Sequence, residues 1–431
     1  MKPSVRTRLP GPNAVRLKKV FDRLAVTSTF EYPLAIKDGK GCFLQDVDGN
    51  WFLDFNANVA SCPLGYRHPR VMEVLREYSR IGAHKIAGQD FYTEEHARLL
   101  EALRRIMPGK LKRAFLVNSG AEAVENAMKF AWRKLGPLEG VSCTGAFHGR
   151  TIGALSHTHS KAVHKRNYPE LPHHIIRFCS SDSDQNIGMI NEVIAESGKP
   201  AFVIVEPIQG ENGYIPASKK FLRALRAAAD ENGFPLIFDE VQCGMGRTGR
   251  WWAFENYDVL PDMVACAKAL QVGAAITTDE YAPTELSAVS TTWGGGHRID
   301  MAVALAHIEG IEREKLLSNS ARMGARITKR LAEMQARYPM ITDVRGMGLM
   351  IGIEFQSKAI RDIVLQECLK RGLLLLGCGR KAARVAPPLV ISGEEVDMGL
   401  DILEDVLAWL LACKSIPKGW AMRICPRGMV L

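Results

Sequence analysis

Through the middle of the chain, short apolar runs alternate with longer stretches in which apolar residues recur at helical spacing. That alternation predicts strands and helices in turn, as in an α/β domain. Ala114–Val117 predicts a strand, then Asn118-Ser119-Gly120, then a helix from about Ala121. Ala201–Val205 predicts a buried strand stopped by Glu206-Pro207. Ser218 is placed to cap a helix whose apolar positions Phe221, Leu222, Leu225 and Ala229 share one face, with Gly233 as its stop. Pro235–Phe238 predicts a third strand ending at Asp239-Glu240, and Met263–Ala267 a fourth ending at Lys268. After Lys315 the pattern changes to amphipathic helices, a Gly346-Met-Gly348 turn and a strand over Leu349–Phe355. The division expected is residues 1–75 as the N-terminal part of a small domain, 76–315 as a large domain and 316–431 as the C-terminal part of the small one.

Polar residues stand directly after the apolar strands: Ser119-Gly120, Glu206, Asp239 and Lys268. In an open parallel sheet ligands bind at the carboxyl ends of the strands, so these residues are expected to converge. A Ser-Gly turn opening a helix offers free N–H groups and a helix dipole to an anion. An anion site, a carboxylate and a lysine are the parts that hold pyridoxal phosphate: the lysine as Schiff-base amine, the carboxylate on the pyridine nitrogen. Taken singly, each part has a plainer reading, as a helix cap, a metal-binding acid pair or a solvated lysine.

Composition narrows the alternatives. The 431 residues, 47% hydrophobic and 24% charged, fit a folded chain of two or three domains rather than a disordered one. The net charge of +9 is concentrated at the ends, with +6 in residues 1–25 and +4 in residues 414–431, so the body is near neutral. A near-neutral body argues against a nucleic-acid-binding face. No apolar run approaches the ~20 residues of a membrane span, and none follows the basic N-terminus as a secretory signal would require. The ten cysteines form no CxxC pair. Reduced, mostly buried thiols in a cytoplasmic protein are the expectation.

The sequences Asn118-Ser-Gly-Ala-Glu-Ala-Val-Glu-Asn-Ala127, Gly145-Ala-Phe-His-Gly-Arg-Thr151, Glu206-Pro-Ile-Gln-Gly-Glu211, Phe238-Asp-Glu-Val-Gln242, Gly246-Arg-Thr-Gly249 and Lys268 together resemble the class III pyridoxal-phosphate aminotransferases. The resemblance extends from about Tyr32 to Leu411. It implies an aspartate-aminotransferase-like (fold type I) architecture: a large domain on a mixed, mostly parallel seven-stranded sheet, and a smaller α+β domain built from both chain ends. It also implies roles. Lys268 is the Schiff-base lysine and proton carrier, and Asp239 the partner of the pyridine nitrogen. Gln242 bonds the phenolic oxygen, Ser119, Gly120 and Ala121 cradle the phosphate, and Phe147 stacks on the ring with His148 beside it. Thr292 reaches a neighbouring subunit's phosphate, which implies a homodimer or larger assembly with shared sites. Arg150 grips a substrate carboxylate, and Glu206 and Val59 belong to the substrate pocket. Arg384 binds the α-carboxylate of glutamate or 2-oxoglutarate, and Glu211 neutralises it when an ω-amine donor occupies the site.

Two departures from the common family pattern stand out. Lys268-Ala-Leu-Gln-Val-Gly-Ala replaces a glycine-rich stretch, and Gly296-His297-Arg298 replaces Asn-Pro. Both resemble lysine 6-aminotransferases and some 4-aminobutyrate aminotransferases. The resulting expectation is transfer of an ω-amine to 2-oxoglutarate. 4-Aminobutyrate is the first donor, with lysine, ornithine and acetylornithine behind it, and amino-acid racemisation or epimerisation is the runner-up chemistry. Three other patterns carry less. Gly244-Met-Gly-Arg-Thr-Gly249 matches a dinucleotide fingerprint but lies several residues past its strand, with Pro261 following. His157, His159 and His164 have no acidic or cysteine companion for a metal and are expected on a helical or loop surface. The Gly346/Gly348 turn has no third glycine and is not read as a phosphate loop.

Overall fold

The computed structural model describes residues 1–26, 31–86, 90–290 and 297–413. Near the N-terminus, β1 (Ile36–Lys40), β2 (Phe43–Asp46) and β3 (Trp51–Asp54) form an antiparallel meander. The large sheet takes β4 (Arg113–Val117), β5 (Gly140–Cys143), β6 (His173–Ile176) and β7 (Phe202–Val205) from its first half. A short hairpin, β8 (Ile208–Gln209) with β9 (Ile215–Pro216), then projects from it. β10 (Leu236–Asp239), β11 (Met263–Cys266) and β12 (Gly273–Thr277) complete the seven strands in the order β4-β12-β11-β10-β7-β5-β6. Only β12 runs antiparallel to its neighbours.

The strands expected at 114–117, 201–205, 235–238 and 263–267 are present to within one residue at each end. β7, β10 and β11 are buried along their whole length, which is why they read as apolar runs rather than alternating ones. The helix Lys219–Asn232 begins where Ser218 Oγ accepts the Phe221 N–H at 3.1 Å, and it ends at Gly233 in the left-handed region (φ 66°).

The C-terminal third contributes β13 (Ile341–Met347), β14 (Met350–Phe355), β15 (Leu373–Leu374), β16 (Leu376–Cys378) and β17 (Ala382–Val385). β13, β14, β17 and β16 make an antiparallel sheet in that order. β15 instead pairs parallel with β3, Leu373 opposite Leu53, so the two ends of the chain share one sheet. Gly399, in the last helix, packs so tightly on Phe55 that an added Cβ would meet the ring at 2.2 Å.

Arg247 is the joint between the large sheet and the C-terminal elements. Its guanidinium is buried and donates from Nη1 to the Leu349 carbonyl (3.2 Å) and the Pro387 carbonyl (2.5 Å). Its own carbonyl accepts the Leu349 N–H (2.9 Å) and the Ser320 hydroxyl (2.8 Å). Desolvation lowers its pKa to about 10. The glycine-rich run around it is therefore a packing device, and the Gly346/Gly348 turn is its partner: a Cβ on Gly348 would meet Thr248 C at 2.6 Å.

Between β3 and the helix Pro69–Tyr78, four consecutive residues that are not glycine lie in the left-handed region: Ala57 (φ 45°), Asn58 (51°), Val59 (57°) and Ala60 (65°). Left-handed backbone costs roughly 1–2 kcal/mol per residue, so the surroundings must hold this turn. Buried Asp54 does so, accepting the N–H groups of Asn56 (2.8 Å) and Ala57 (3.0 Å) and the Tyr66 hydroxyl (2.6 Å).

Gly324 gives a direct test of the packing at the joint. An added Cβ would sit 2.2 Å from the Gly348 carbonyl oxygen, a backbone atom that cannot swing away. Alanine gains about 1 kcal/mol in helix propensity, but overpacking against backbone costs typically 1–3 kcal/mol or more. Gly324→Ala should therefore lower the denaturant midpoint of unfolding rather than raise it.

Candidate functional site

The register of the large sheet assembles the site. Phe238 lies opposite Val205 and Asp239 opposite Ala265, so Glu206, Asp239 and Lys268 leave neighbouring strands at the same edge. Ser119, from the loop after β4, caps the helix Gly120–Leu135 by accepting the Glu122 N–H on Oγ at 3.2 Å. The N–H groups of Gly120 and Ala121 precede the intrahelical ladder and are free to face an anion. Glycine is required at 120 because a Cβ there would meet Val241 Cγ1 at 2.8 Å.

Asp239 is 4% exposed, at the end of β10. One oxygen accepts the Val241 N–H (3.0 Å) and the other faces His148 Nδ1 (2.8 Å). Since a carboxylate can only accept, Nδ1 carries the proton. His148 Nε2 is then left buried without a partner among the described residues. An orphaned buried polar atom is the expected mark of a site completed by a bound group.

Lys268 is partly buried and opens the turn that follows β11 with φ 46°. Desolvation lowers its pKa; the charges of Glu211, Asp239 and Glu206 oppose that shift, and Arg384 adds to it. Arg384, on β17 and 2% exposed, donates from Nη1 to Glu211 Oε1 (3.0 Å) and from Nη2 to the Gly377 carbonyl (3.2 Å). Its Nε is a second buried polar atom with no partner among the described residues. The Tyr214 ring lies under its guanidinium at 5.5 Å, and Gln242 Oε1 is 3.5 Å from Nη1. Burial pulls the Arg384 pKa down, but Tyr214 and Glu211 outweigh it and the net shift is upward. For Glu211, burial raises the pKa, and Arg384 and Lys268 reverse the shift to a net lowering. The pair is charged on both sides.

The remaining expected site residues fall into three groups. Glu206 is buried, with both oxygens taken by backbone: Oε1 by the Phe147 N–H (2.9 Å) and Oε2 by the Gly210 N–H (2.9 Å). Burial holds its pKa above the ordinary carboxylate value. It fixes the loop bearing Phe147, Arg150 and His148. Phe147 is half-buried, with the exposed Arg150 guanidinium 5.6 Å from its ring centroid. Val59 sits half-buried in the left-handed turn. Thr292 lies outside the described residues.

The histidines differ from expectation. His157 and His164 are buried and His159 is half-buried. His157 Nδ1 bonds the Gly153 carbonyl (2.9 Å), its ring lies 5.3 Å from both His173 and Phe202, and His159 Nε2 lies 2.9 Å from Ser142 Oγ. Desolvation drives His157 and His159 down to about 3, so both are neutral core rings rather than surface groups. Among the described residues, no cluster of three His, Cys, Asp or Glu side chains could hold a metal ion.

Sequence reading did not single out Tyr214 under Arg384 or Gln271 beside Lys268. Neither stands in a recognised motif position; Tyr214 packs under Arg384, and Gln271 hydrogen-bonds the Lys268 carbonyl from a residue with no local pattern to mark it.

Comparison with known proteins gives the family and the fold. The family model for class III aminotransferases matches residues 25–407. An acetylornithine aminotransferase from Archaeoglobus fulgidus is 38% identical over 375 residues, covering 86% of this chain and 94% of that protein. A 5-aminovalerate aminotransferase from Pseudomonas putida is 34% identical over 404 residues, covering 88% and 94%. Among solved structures, a lysine aminotransferase from M. tuberculosis superposes with a TM-score of 0.84 at 29% identity, over 92% of this chain and 99% of that one. The ornithine aminotransferase of Toxoplasma gondii gives a TM-score of 0.84 at 26% identity, over 92% and 95%. The architecture is that of fold type I, and the unpartnered His148 Nε2, the Gly120 helix start and Lys268 among carboxylates fit the family's cofactor, pyridoxal phosphate. The chain is a member of the class III aminotransferases.

Proposed function

We propose that this aminotransferase takes the terminal amine of an ω-amino acid and passes it to 2-oxoglutarate, releasing a semialdehyde and then glutamate. The observation that carries the reading is the Arg384–Glu211 pair beside Lys268. A desolvated guanidinium without a counter-charge is strongly disfavoured. With the pair closed, the pocket presents no net cation near the lysine and suits the methylene end of a terminal-amine donor. With Glu211 withdrawn, Arg384 is free to take the α-carboxylate of 2-oxoglutarate or glutamate. We assign Arg150, exposed beside Phe147, to a carboxylate at the donor's far end. We assign Lys268 as the amine that holds pyridoxal phosphate, Asp239 and His148 as the partners of its ring nitrogen, and Ser119, Gly120 and Ala121 as the phosphate cradle. Gln242 belongs to the ring's oxygen edge, and Thr292 to a neighbouring subunit's site in a homodimer. The bound cofactor supplies an electron-withdrawing ring that accepts charge as the substrate C–H bond breaks. The protein's part is to hold Asp239 beside that ring, to exclude water, and to receive and return the proton at Lys268 Nζ.

Motif resemblance favours 4-aminobutyrate as donor; the names of the similar proteins favour acetylornithine and 5-aminovalerate. All three present a terminal amine remote from a carboxylate, and we propose them as the donor set. A panel of amines with 2-oxoglutarate, scored by glutamate release, tests this. At least one of the three should turn over about tenfold faster than alanine or aspartate. A preference for the α-amines would overturn the reading.

Removing the counter-charge should separate the two half-reactions. Glu211→Gln leaves Arg384 unpaired when an ω-amine is bound but not when glutamate is. Its kcat/KM for the ω-amine should fall at least about tenfold more than that for glutamate, as measured in single half-reactions. Equal losses would contradict the switch.

The shift at Lys268 sets a pH dependence. Burial lowers its pKa, so without bound cofactor its neutral amine should appear at a lower pH than that of an ordinary lysine, about 10.4. Glu211 opposes that lowering, so Glu211→Gln should move the transition to still lower pH. The pH profile of Lys268 acylation, followed by mass spectrometry, checks both signs.

A further inference from the structure

Two strained segments far apart in sequence meet at one side chain. The first is the left-handed turn Ala57–Ala60, which carries Val59. The second is Lys268 itself (φ 46°), followed three residues later by Gln271 (φ 72°). Gln271 Nε2 donates to the Ser61 carbonyl at 2.7 Å, directly after the left-handed turn, and to the Lys268 carbonyl at 2.9 Å. The Gln271 backbone N–H reaches the same Lys268 carbonyl at 2.9 Å. One amide group thus uses both hydrogens to join the two segments. The turn itself closes through the Ser61 and Cys62 N–H groups, both bonded to the Ala57 carbonyl at 2.9 and 3.0 Å. Ala60 packs in a small apolar cluster with Tyr214, the residue beneath Arg384. The turn is thus linked through hydrogen bonds to the Lys268 backbone and through packing to the ring beneath Arg384.

We propose that Gln271 is a positioning residue, whose side-chain amide holds the left-handed turn and the backbone of Lys268 in one fixed relation. The primary amide suits this task. It supplies two donors to two carbonyl oxygens that face it. Glutamate, of the same length, would present an acceptor to both. Backbone strain of this kind persists only where the surroundings fix it, and the Gln271 amide is such a fixing group. The inference rests on Lys268 being the amine that carries the cofactor, as proposed above.

The experiment uses the holoenzyme and compares wild type with Gln271→Gly and Gln271→Glu. Glycine accepts the left-handed backbone at 271, so Q271G removes only the two side-chain bonds. If Q271G does not fold, Q271E supplies the same readouts. Borohydride reduction and peptide mapping first locate the modified lysine. Amide hydrogen exchange at Ser61 and Cys62 and steady-state kinetics are then compared. We expect modification at Lys268 in each protein and exchange at Ser61 and Cys62 at least about tenfold faster in the variants. We also expect kcat to be about tenfold lower with donor KM within about twofold, a loss of some 1.4 kcal/mol at about 1.36 kcal/mol per decade. Wild-type kcat in both variants would overturn the proposal, whether or not exchange quickens, because a merely structural bond would loosen the turn without slowing turnover. Modification of a different lysine in the wild type would instead remove the assignment of Lys268 on which the proposal stands.

Discussion

The pairing of β7, β10 and β11 without a slip is what brings the chemistry together. Phe238 faces Val205 and Asp239 faces Ala265, so the three strands end within two residues of one another and bring Glu206, Asp239 and Lys268 to the same end of the sheet. A shift of one residue in any of the three would turn every side chain on that strand to the opposite face. All positions of the three strands are buried, so a slip would have to repack both faces of the sheet at once.

Desolvation at that edge then decides how the charges behave. Taking Lys268, Asp239, Glu206, Glu211 and Arg384 out of water penalises each alone, and the arrangement answers with mutual neutralisation. Glu206 is satisfied by two backbone N–H groups, Asp239 by Val241 and His148, and Glu211 by Arg384. The buried polar atoms without a partner among the described residues include, in this cluster, His148 Nε2, Arg384 Nε and the Tyr214 hydroxyl.

Much of this was legible in the amino-acid sequence because buried parallel strands write themselves as apolar runs and chemistry sits at their ends. β7, β10 and β11 are of that kind, and so is the capped helix Lys219–Asn232. β5, β6 and β12 were not, since Gly140-Val-Ser-Cys143, His173-His-Ile-Ile176 and Gly273-Ala-Ala-Ile-Thr277 mix small and polar residues whose burial depends on tertiary neighbours. The histidines after Ser156 read as surface because imidazole is polar; Phe202 and His173 packed at a tilt against His157 make it core. Gln271 was invisible as a clamp because Ser61 is distant in sequence and no local pattern announces a left-handed turn built without glycine.

The parallel pairing of β15 with β3 has a consequence for how the chain is made. During synthesis the N-terminal meander emerges early, and the edge of β3 that awaits Leu373-Leu374 stays open until almost the whole polypeptide has left the ribosome. An unpaired strand edge is a template for association with other chains. Closing that edge is among the latest contacts available to a nascent molecule, so growth temperature and chaperone supply should weigh more on its yield than on that of a protein whose sheets close in chain order.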